Sequence, residues 1–293
     1  MKKKIKIAIA SGKGGVGKSM ISSTLAMLLA KEKKIVALDA DVDAPNLHLW
    51  LGQNEDWDKV EKISTNERPV IDRQKCNLCG QCVDICAFGA LKINKQKLIL
   101  NNFFCEGCAA CETICPQKAI RMEKIDNAEI RIKNNVFGFP LISAQLYPGE
   151  TGSGKVVDEL KKKAAEFRAE MIVIDSPAGT GCPVIAALNG VDFCLLVTEP
   201  TPSGFSDLKR ALEVVNYFQI PWGLVINKWD VNKAESKKIT SWAGKQAKGS
   251  LLGRISYEKG VFRAISQLKP ILATELKTKE EIKSIYRRLT NLI

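Results

Sequence analysis

Eight of the ten cysteines fall into two runs of one spacing, Cys76-x2-Cys79-x2-Cys82-x3-Cys86 and Cys105-x2-Cys108-x2-Cys111-x3-Cys115, the second followed by Pro116. Thiolates are soft ligands, and three at this spacing can wrap one face of an iron-sulfur cube while a fourth reaches in from elsewhere. Zinc in a closed tetrahedron is held by separated C-x2-C pairs, a pattern these two four-cysteine runs fit poorly. The chemistry implied is that of two [4Fe-4S] clusters in a compartment that keeps thiols reduced.

A second segment is built to hold phosphate. Gly12-Lys13-Gly14-Gly15-Val16-Gly17-Lys18-Ser19 satisfies the P-loop pattern G-x-x-x-x-G-K-S/T. It follows an apolar run, Ile5 to Ala10, that reads as a buried strand, and it precedes Ser19 to Leu29, where apolar residues such as Met20 recur at helical spacing. In that setting the glycine N–H groups wrap the α- and β-phosphates, Lys18 neutralises the β- and γ-oxygens, and the Ser19 hydroxyl ligates Mg²⁺. ATP with Mg²⁺ is the expected ligand.

Both segments carry a family resemblance. The cysteine runs resemble those of bacterial two-cluster ferredoxins, which implies that Cys76, Cys79, Cys82 and Cys115 hold one cluster and Cys105, Cys108, Cys111 and Cys86 the other. Ala87 departs from the proline usual after the fourth cysteine. The extra lysine in the loop, Lys13, resembles the signature of the deviant Walker A ATPases: MinD, ParA, Mrp and the nitrogenase iron protein. That resemblance implies a homodimer closed by ATP, with Lys13 reaching the partner subunit's phosphates much as an arginine finger does.

The same resemblance assigns further residues. Leu38-Asp39-Ala40-Asp41-Val42-Asp43 matches switch I: Asp39 is expected in the outer magnesium shell, Asp41 on the attacking water, and Asp43 in either role or capping the next turn. Ile172 to Gly181 matches switch II, bringing Asp175 to the magnesium shell and the Gly179 N–H towards the γ-phosphate. Asn227 and Lys228 end a late strand where the family contacts adenine, and Ser256 and Tyr257 match the segment flanking the base. The expected catalytic set is Lys13, Lys18 and Asp41.

Elements must bring these segments together. Strand candidates at Lys34–Leu38, Pro140–Leu146, Met171–Asp175, Asp192–Val197, Trp222–Asn227 and Leu251–Ile255 are mostly separated by helical patterns. Such alternation predicts right-handed crossovers and an α/β fold with a mostly parallel P-loop sheet, helices on both faces. Between about Glu67 and Lys124 the pattern changes to short strands around the cysteines, with a hairpin over Ala90–Ile93 and Lys97–Leu100. The expected organisation is a first ATPase part over 1–65, an inserted small α+β ferredoxin-like domain over 66–125, and a second ATPase part over 126–293.

Several features admit simpler roles. Gly149-Glu150-Thr151-Gly152-Ser153-Gly154-Lys155 imitates a P-loop, but Val156 lacks the hydroxyl that Mg²⁺ needs; the stretch before switch II faces the partner in related dimers, which leaves a contact role there or a plain helix start. Cys182 has the spacing from Asp175 of a bridging-cluster cysteine, yet its usual second cysteine is missing and a plain thiol is expected. Cys194 reads as core. His48, the only histidine, reads as packed beside switch I. The amphipathic end from Lys279 to Ile293, with Ile282, Ile285, Tyr286, Leu289 and Leu292 on one face, is expected to dock on the sheet, although MinD uses such an end on membranes.

Composition bounds the function. No segment approaches the ~18 uninterrupted apolar residues of a membrane span, and the basic start Met1-Lys2-Lys3-Lys4 leads into glycines rather than a cleavage pattern, so a cytoplasmic chain is expected. The net charge of +12 comes from lysines and arginines scattered along the sequence, which points to a solvated surface rather than to nucleic acid. Amide-forming synthetases share this ATPase fold but need a Cys–His glutaminase region that one histidine near switch I does not supply. The leading expectation is a dimeric ATPase whose cycle gates electron or cluster transfer to a redox or iron-sulfur acceptor protein. The alternative is an ATP-controlled interaction or positioning switch with the clusters as redox sensor or brace.

Overall fold

The computed structural model describes residues 3–246 and 249–293; Met1 and Lys2 of the basic start lie outside the described residues. The chain opens with β1 (Ile5–Ser11), α1 (Lys18–Leu29), β2 (Ile35–Asp39), α2 (Leu47–Trp50) and β3 (Lys59–Ile63). The cysteine region follows as β4 (Asn66–Ile71), α3 (Gln81–Asp84), β5 (Leu91–Asn94), β6 (Lys97–Leu100), α4 (Ala110–Ile114) and β7 (Ile120–Ile125). Then come β8 (Ala128–Val136), β9 (Phe139–Leu146), α5 (Ser153–Glu166), β10 (Met171–Ala178), α6 (Cys182–Leu188) and β11 (Phe193–Thr198). The end is α7 (Pro202–Tyr217), β12 (Trp222–Asn227), α8 (Lys233–Ala243), β13 (Gly249–Ile255), α9 (Lys259–Ser266) and α10 (Lys277–Thr290).

Nine strands form one sheet in the order β13-β12-β11-β1-β10-β2-β9-β8-β3. From β13 to β9 every neighbouring pair is parallel. Apart from the edge strand β13, which buries only Leu252 and Ile255, these strands are mostly buried runs rich in Ile, Val, Leu and Ala, as a sheet covered on both faces requires. Two apolar cores result. One lies under α5, α6, α7 and α8, the other under α1, α9 and α10. The α/β reading holds.

The sheet departs from the sequence expectation at one edge, where β8 runs antiparallel to β9 and β3 antiparallel to β8. Neither strand was anticipated. Strand β8 alternates buried Ala128, Ile130 and Ile132 with charged residues, a one-faced pattern, and β3 is largely exposed and charged, as an outermost strand must be to resist pairing with other chains. Strand β12 has the bounds expected of it; the other parallel strands differ by one to three residues at one or both ends, as in β10, where buried Ser176 continues the strand.

The cysteine region forms two small sheets of its own, β4 with β7 and β5 with β6, around a separate apolar core that includes Leu91, Leu98 and Ile120. Its chain leaves and rejoins the large sheet at one place, since Ile63 of β3 lies opposite Ala128 of β8. Asn127 closes the junction: its Oδ1 accepts from the Thr65 N–H at 2.8 Å and its Nδ2 donates to the Thr151 carbonyl at 3.1 Å. Helix α10 docks as expected, burying Ile282, Ile285 and Leu289, while Leu292 remains exposed. Among the described residues no helix is long and apolar enough to cross a membrane.

Candidate functional site

The P-loop bridges the carboxyl end of β1 and the start of α1, at the edge where the parallel strands of such sheets offer ligand sites. Gly17 has φ +95°, and a Cβ there would lie 2.4 Å from Asn227 Nδ2, so both conformation and space demand glycine. Gly12 is constrained by space alone: a Cβ would stand 2.0 Å from the Asp207 carbonyl oxygen of α7. Gly14 and Gly15 face open space, where backbone N–H groups can meet phosphate.

Three carboxylates gather beside Lys18. Parallel pairing puts Asp39 of β2 directly opposite Asp175 of β10, both fully buried. Asp39 accepts from the Leu47 N–H at 2.8 Å and the Asp41 N–H at 3.3 Å; Asp175 accepts from the Ser22 hydroxyl at 2.8 Å and also from Ser19. Burial raises the Asp39 carboxyl well above its usual range, and the neighbouring Asp175 raises it further. Burial lifts Asp175 too, against the pull of Lys18 and the two serines, and it lifts Asp41 against Lys18. A pair of buried acids this close favours a proton or a cation between them. The expected magnesium set Ser19, Asp39, Asp41 and Asp175 is thus gathered around Lys18, while Asp43 is exposed.

Two expected groups are engaged elsewhere in this conformation. The Gly179 N–H donates to the Ser11 carbonyl at 2.9 Å, so a phosphate oxygen would have to displace that bond. Lys13 Nζ lies 2.7 Å from Glu199 Oε1, and Lys228 Nζ lies 3.2 Å from Oε2 of the same carboxylate. Burial lifts Glu199, but the hydrogen bonds from Lys13 and Lys228 outweigh it and hold the carboxyl below its usual range. Glu199 was not anticipated. Its place at the carboxyl end of β11, beside β1, was the one available signal.

A cleft of about 400 Å³, within the range of small-ligand pockets, opens beside the loop, lined by Met20, Asn227, Ser256, Tyr257, Trp50 and Phe262 among others. Asn227 Nδ2 donates to the Val16 carbonyl at 2.7 Å and Lys228 Nζ to that of Gly15 at 3.3 Å, fastening β12 to the loop. Ser256 faces the same cleft, but its hydroxyl and N–H both donate to Glu281 of α10, at 2.7 and 2.8 Å. The Tyr257 N–H donates to Asp230 at 2.7 Å, leaving the ring free at the cleft mouth. Removing the Val16 bond in Asn227→Ala strands a buried carbonyl, a loss of about 1–3 kcal/mol. Nucleotide affinity measured by titration calorimetry is therefore expected to fall roughly 5- to 100-fold, and unchanged affinity would separate Asn227 from the loop's geometry.

The eight cysteines divide between two cavities. Cys76, Cys79, Cys82 and Cys115 line one; Cys86, Cys105, Cys108 and Cys111 line the other. Each cavity takes three thiols from one run and the fourth from the other run, so the donor sets cross over in space. Among the described residues no three His, Cys, Asp or Glu side chains converge to hold a single metal ion. Burial raises the Cys82 thiol and pushes Cys111 up to about 11, so binding of either to a metal would release a proton. Two all-thiol sets of four match the ligand demand of [4Fe-4S] clusters.

The remaining candidates fall into place. Cys194 is buried in β11, and His48 is buried against Trp57 with ring centroids 5.4 Å apart. The P-loop-like segment before α5 meets the cysteine region: Arg68 of β4 reaches both carboxylate oxygens of Glu150 at 2.7 Å, and Asn66 Nδ2 donates to the Thr151 hydroxyl at 2.9 Å. A Cβ at Gly149 would stand 2.4 Å from the Phe103 ring, and one at Gly154 would touch the Cys182 carbonyl at 3.3 Å. Cys182 itself is exposed.

A parallel sheet with this loop at its carboxyl edge has the fold of MinD- and ParA-type P-loop ATPases. Residues 7–271 match the model of the CobQ/CobB/MinD/ParA nucleotide binding domain, and the chain belongs to that family. An uncharacterized protein of Methanocaldococcus jannaschii is 38% identical over 99% of this chain and 98% of its own length. An iron-sulfur cluster carrier protein of the same organism is 24% identical over 99% of this chain and 85% of its own. The solved septum site-determining protein MinD of Pyrococcus horikoshii, complexed with Mg-ADP, superposes with a TM-score of 0.60 at 16% identity, covering 99% of this chain and 97% of that one, which establishes likeness of fold alone.

Proposed function

We propose that this chain is a Mg-ATP-binding and hydrolysing ATPase that dimerises on ATP and couples its cycle to two [4Fe-4S] clusters, for electron or cluster transfer to a partner protein. The clusters would sit in an inserted ferredoxin-like domain, residues 66–125, between ATPase parts 1–65 and 126–293. When bound, each would supply a reversible one-electron centre.

Lys18 and the loop N–H groups hold the phosphates, Ser19, Asp39, Asp41 and Asp175 hold Mg²⁺, and Asp41 orients water. Lys13 leaves Glu199 to reach the partner subunit's phosphates as the dimer closes. Gly12, Gly14, Gly15, Val16, Gly17 and Met20 shape the nucleotide seat; Asn227, Lys228, Ser256 and Tyr257 border the base. Cys76, Cys79, Cys82 and Cys115 take one cluster, and Cys86, Cys105, Cys108 and Cys111 the other.

One observation carries the coupling. The Gly179 segment runs directly into Cys182, which abuts Gly154, at the end of the loop whose Glu150 grips Arg68 of the cysteine region. A phosphate that pulls Gly179 from Ser11 therefore strains a chain of packed contacts ending at β4, whose Pro69 lines the cavity of Cys86, Cys105, Cys108 and Cys111. Anaerobic redox titration with and without a non-hydrolysable ATP analogue tests this, with an expected change on the order of 60 mV, a tenfold shift in a one-electron equilibrium. Identical potentials would end the coupling proposal.

An ATP-controlled interaction switch is the second reading, supported by the groove between α6 and α7. There Ile185, Val214 and the exposed Tyr217 lie beside Thr180, offering an apolar surface next to switch II. In that case the potentials stay fixed while partner binding follows ATP.

A further inference from the structure

Strands β4 and β7 form a stem leading out of the large sheet. Asn66 faces Ile125 at the inner end and Ile71 faces Ile120 at the outer end. Pro69 and Met122, midway, line the cavity of Cys86, Cys105, Cys108 and Cys111; Ala119 and Ile120 line that of Cys76, Cys79, Cys82 and Cys115. At about 3.3 Å per residue the second cavity lies farther along the stem. The first is pressed inward, since a Cβ on Gly107 would meet Asn66 Oδ1 at 2.4 Å. The two four-thiol sites are therefore ranked, one near the ATPase sheet and one far from it.

Charge is ranked with them. The β5–β6 hairpin touches the near cavity with Leu91 and Leu100 and the far cavity with Ile93 and Leu98, so its turn, Lys95-Gln96 with φ 44° and 57°, lies beyond the far site. That hairpin bears Lys95 and Lys97 at its end and Lys92 between the two cavities, and the chain flanking the far cysteines adds Arg73, Lys75 and Lys118, all exposed. Against these six cations stand Asp72, which lies 3.4 Å from Lys75, and Asp84. At the near site the charges are mixed: Glu106 lines the cavity, Glu112 accepts from the Met122 N–H at 2.9 Å, and Arg68 is neutralised by Glu150. Six of the scattered lysines and arginines are thus gathered, in space, as a basic rim around one cysteine site.

Granted the two-cluster reading on which this rests, we propose that the basic rim around the far site is the docking surface for an acidic protein carrying its own one-electron centre. Exposed Cys79 stands within the rim, and Ile93 presents an apolar contact among the lysines, the mixture that transient redox interfaces use. Single-stranded nucleic acid would also meet lysines but binds through aromatic platforms. The exposed aromatics of this region lie at the near end: Phe88 lines the near cavity, Phe103 packs on Gly149, and Phe104 directly precedes Cys105 of the near cavity.

The probe is an acidic bacterial two-cluster ferredoxin, titrated calorimetrically, oxidised and anaerobic, into the full chain at 20 and 200 mM NaCl. Wild-type affinity is expected to fall at least tenfold with salt. The double variant Lys95→Glu/Lys97→Glu is expected to bind at least tenfold more weakly at low salt, with iron content and ATP affinity unchanged. Lys124→Glu, at the inner end of the stem, is expected to bind as wild type does. Equal binding by the double variant, an equal loss in Lys124→Glu, or preference of the wild type for a 20-base DNA single strand overturns the proposal. Iron is counted first on each sample: iron-free protein defeats the two-cluster reading and this one with it, whereas full iron with unchanged binding defeats this one alone.

Discussion

Lys18→Ala is expected to lower ATP hydrolysis at least ~100-fold, the loss typical when one preorganised charge is taken from a transition state. The reason lies in the surroundings as much as in the phosphate. Lys18 is buried, and it is the cation that opposes the burial of Asp41 and Asp175. Without it, Asp39, Asp41 and Asp175 stand together with no positive partner, and incoming triphosphate adds negative charge to a site already rich in it. Both binding and turnover should therefore fall. The check is phosphate release at saturating Mg-ATP beside nucleotide affinity measured separately; a rate within threefold of wild type would remove the P-loop from catalysis.

Cys111→Ser is expected to cut iron from roughly eight to roughly four atoms per chain in anaerobically reconstituted protein. The thiol is buried in the near cavity, and serine leaves a poor ligand there. The crossover gives the sharper form of the test. Cys86 belongs to the first run in sequence but to the cavity of Cys105, Cys108 and Cys111 in space. Electron paramagnetic resonance of Cys86→Ser should match that of Cys108→Ser and differ from that of Cys79→Ser. If Cys86→Ser and Cys79→Ser instead share one spectrum, the donor sets do not cross.

What could be read beforehand follows from how local each signal is. The P-loop and the cysteine runs are short patterns whose chemistry depends on neighbours in sequence, and the apolar strands that carry Asp39 and Asp175 announce themselves by composition. Glu199 carries only the weak signal of its place after β11, because its partners Lys13 and Lys228 come from distant parts of the chain. Arg68 and Glu150 meet for the same reason, with nothing in either segment to name the other. The β8–β3 edge was missed because its apolar residues alternate with charges and β3 is mostly polar, so no apolar run marks either strand.

The single junction at Ile63 and Ala128 has a consequence for how the molecule is put together. To pair β3 with β8 an unstructured connection on the order of 60 residues must be closed, at an entropic cost of roughly 3–4 kcal/mol. Once β4 lies against β7, with Asn66 opposite Ile125, the ends of that connection are already side by side and most of the cost has been met elsewhere. Maturation of the cysteine region would thus act as a nucleus for the outermost strands of the sheet, and the order of assembly would run from the small part to the edge of the large one.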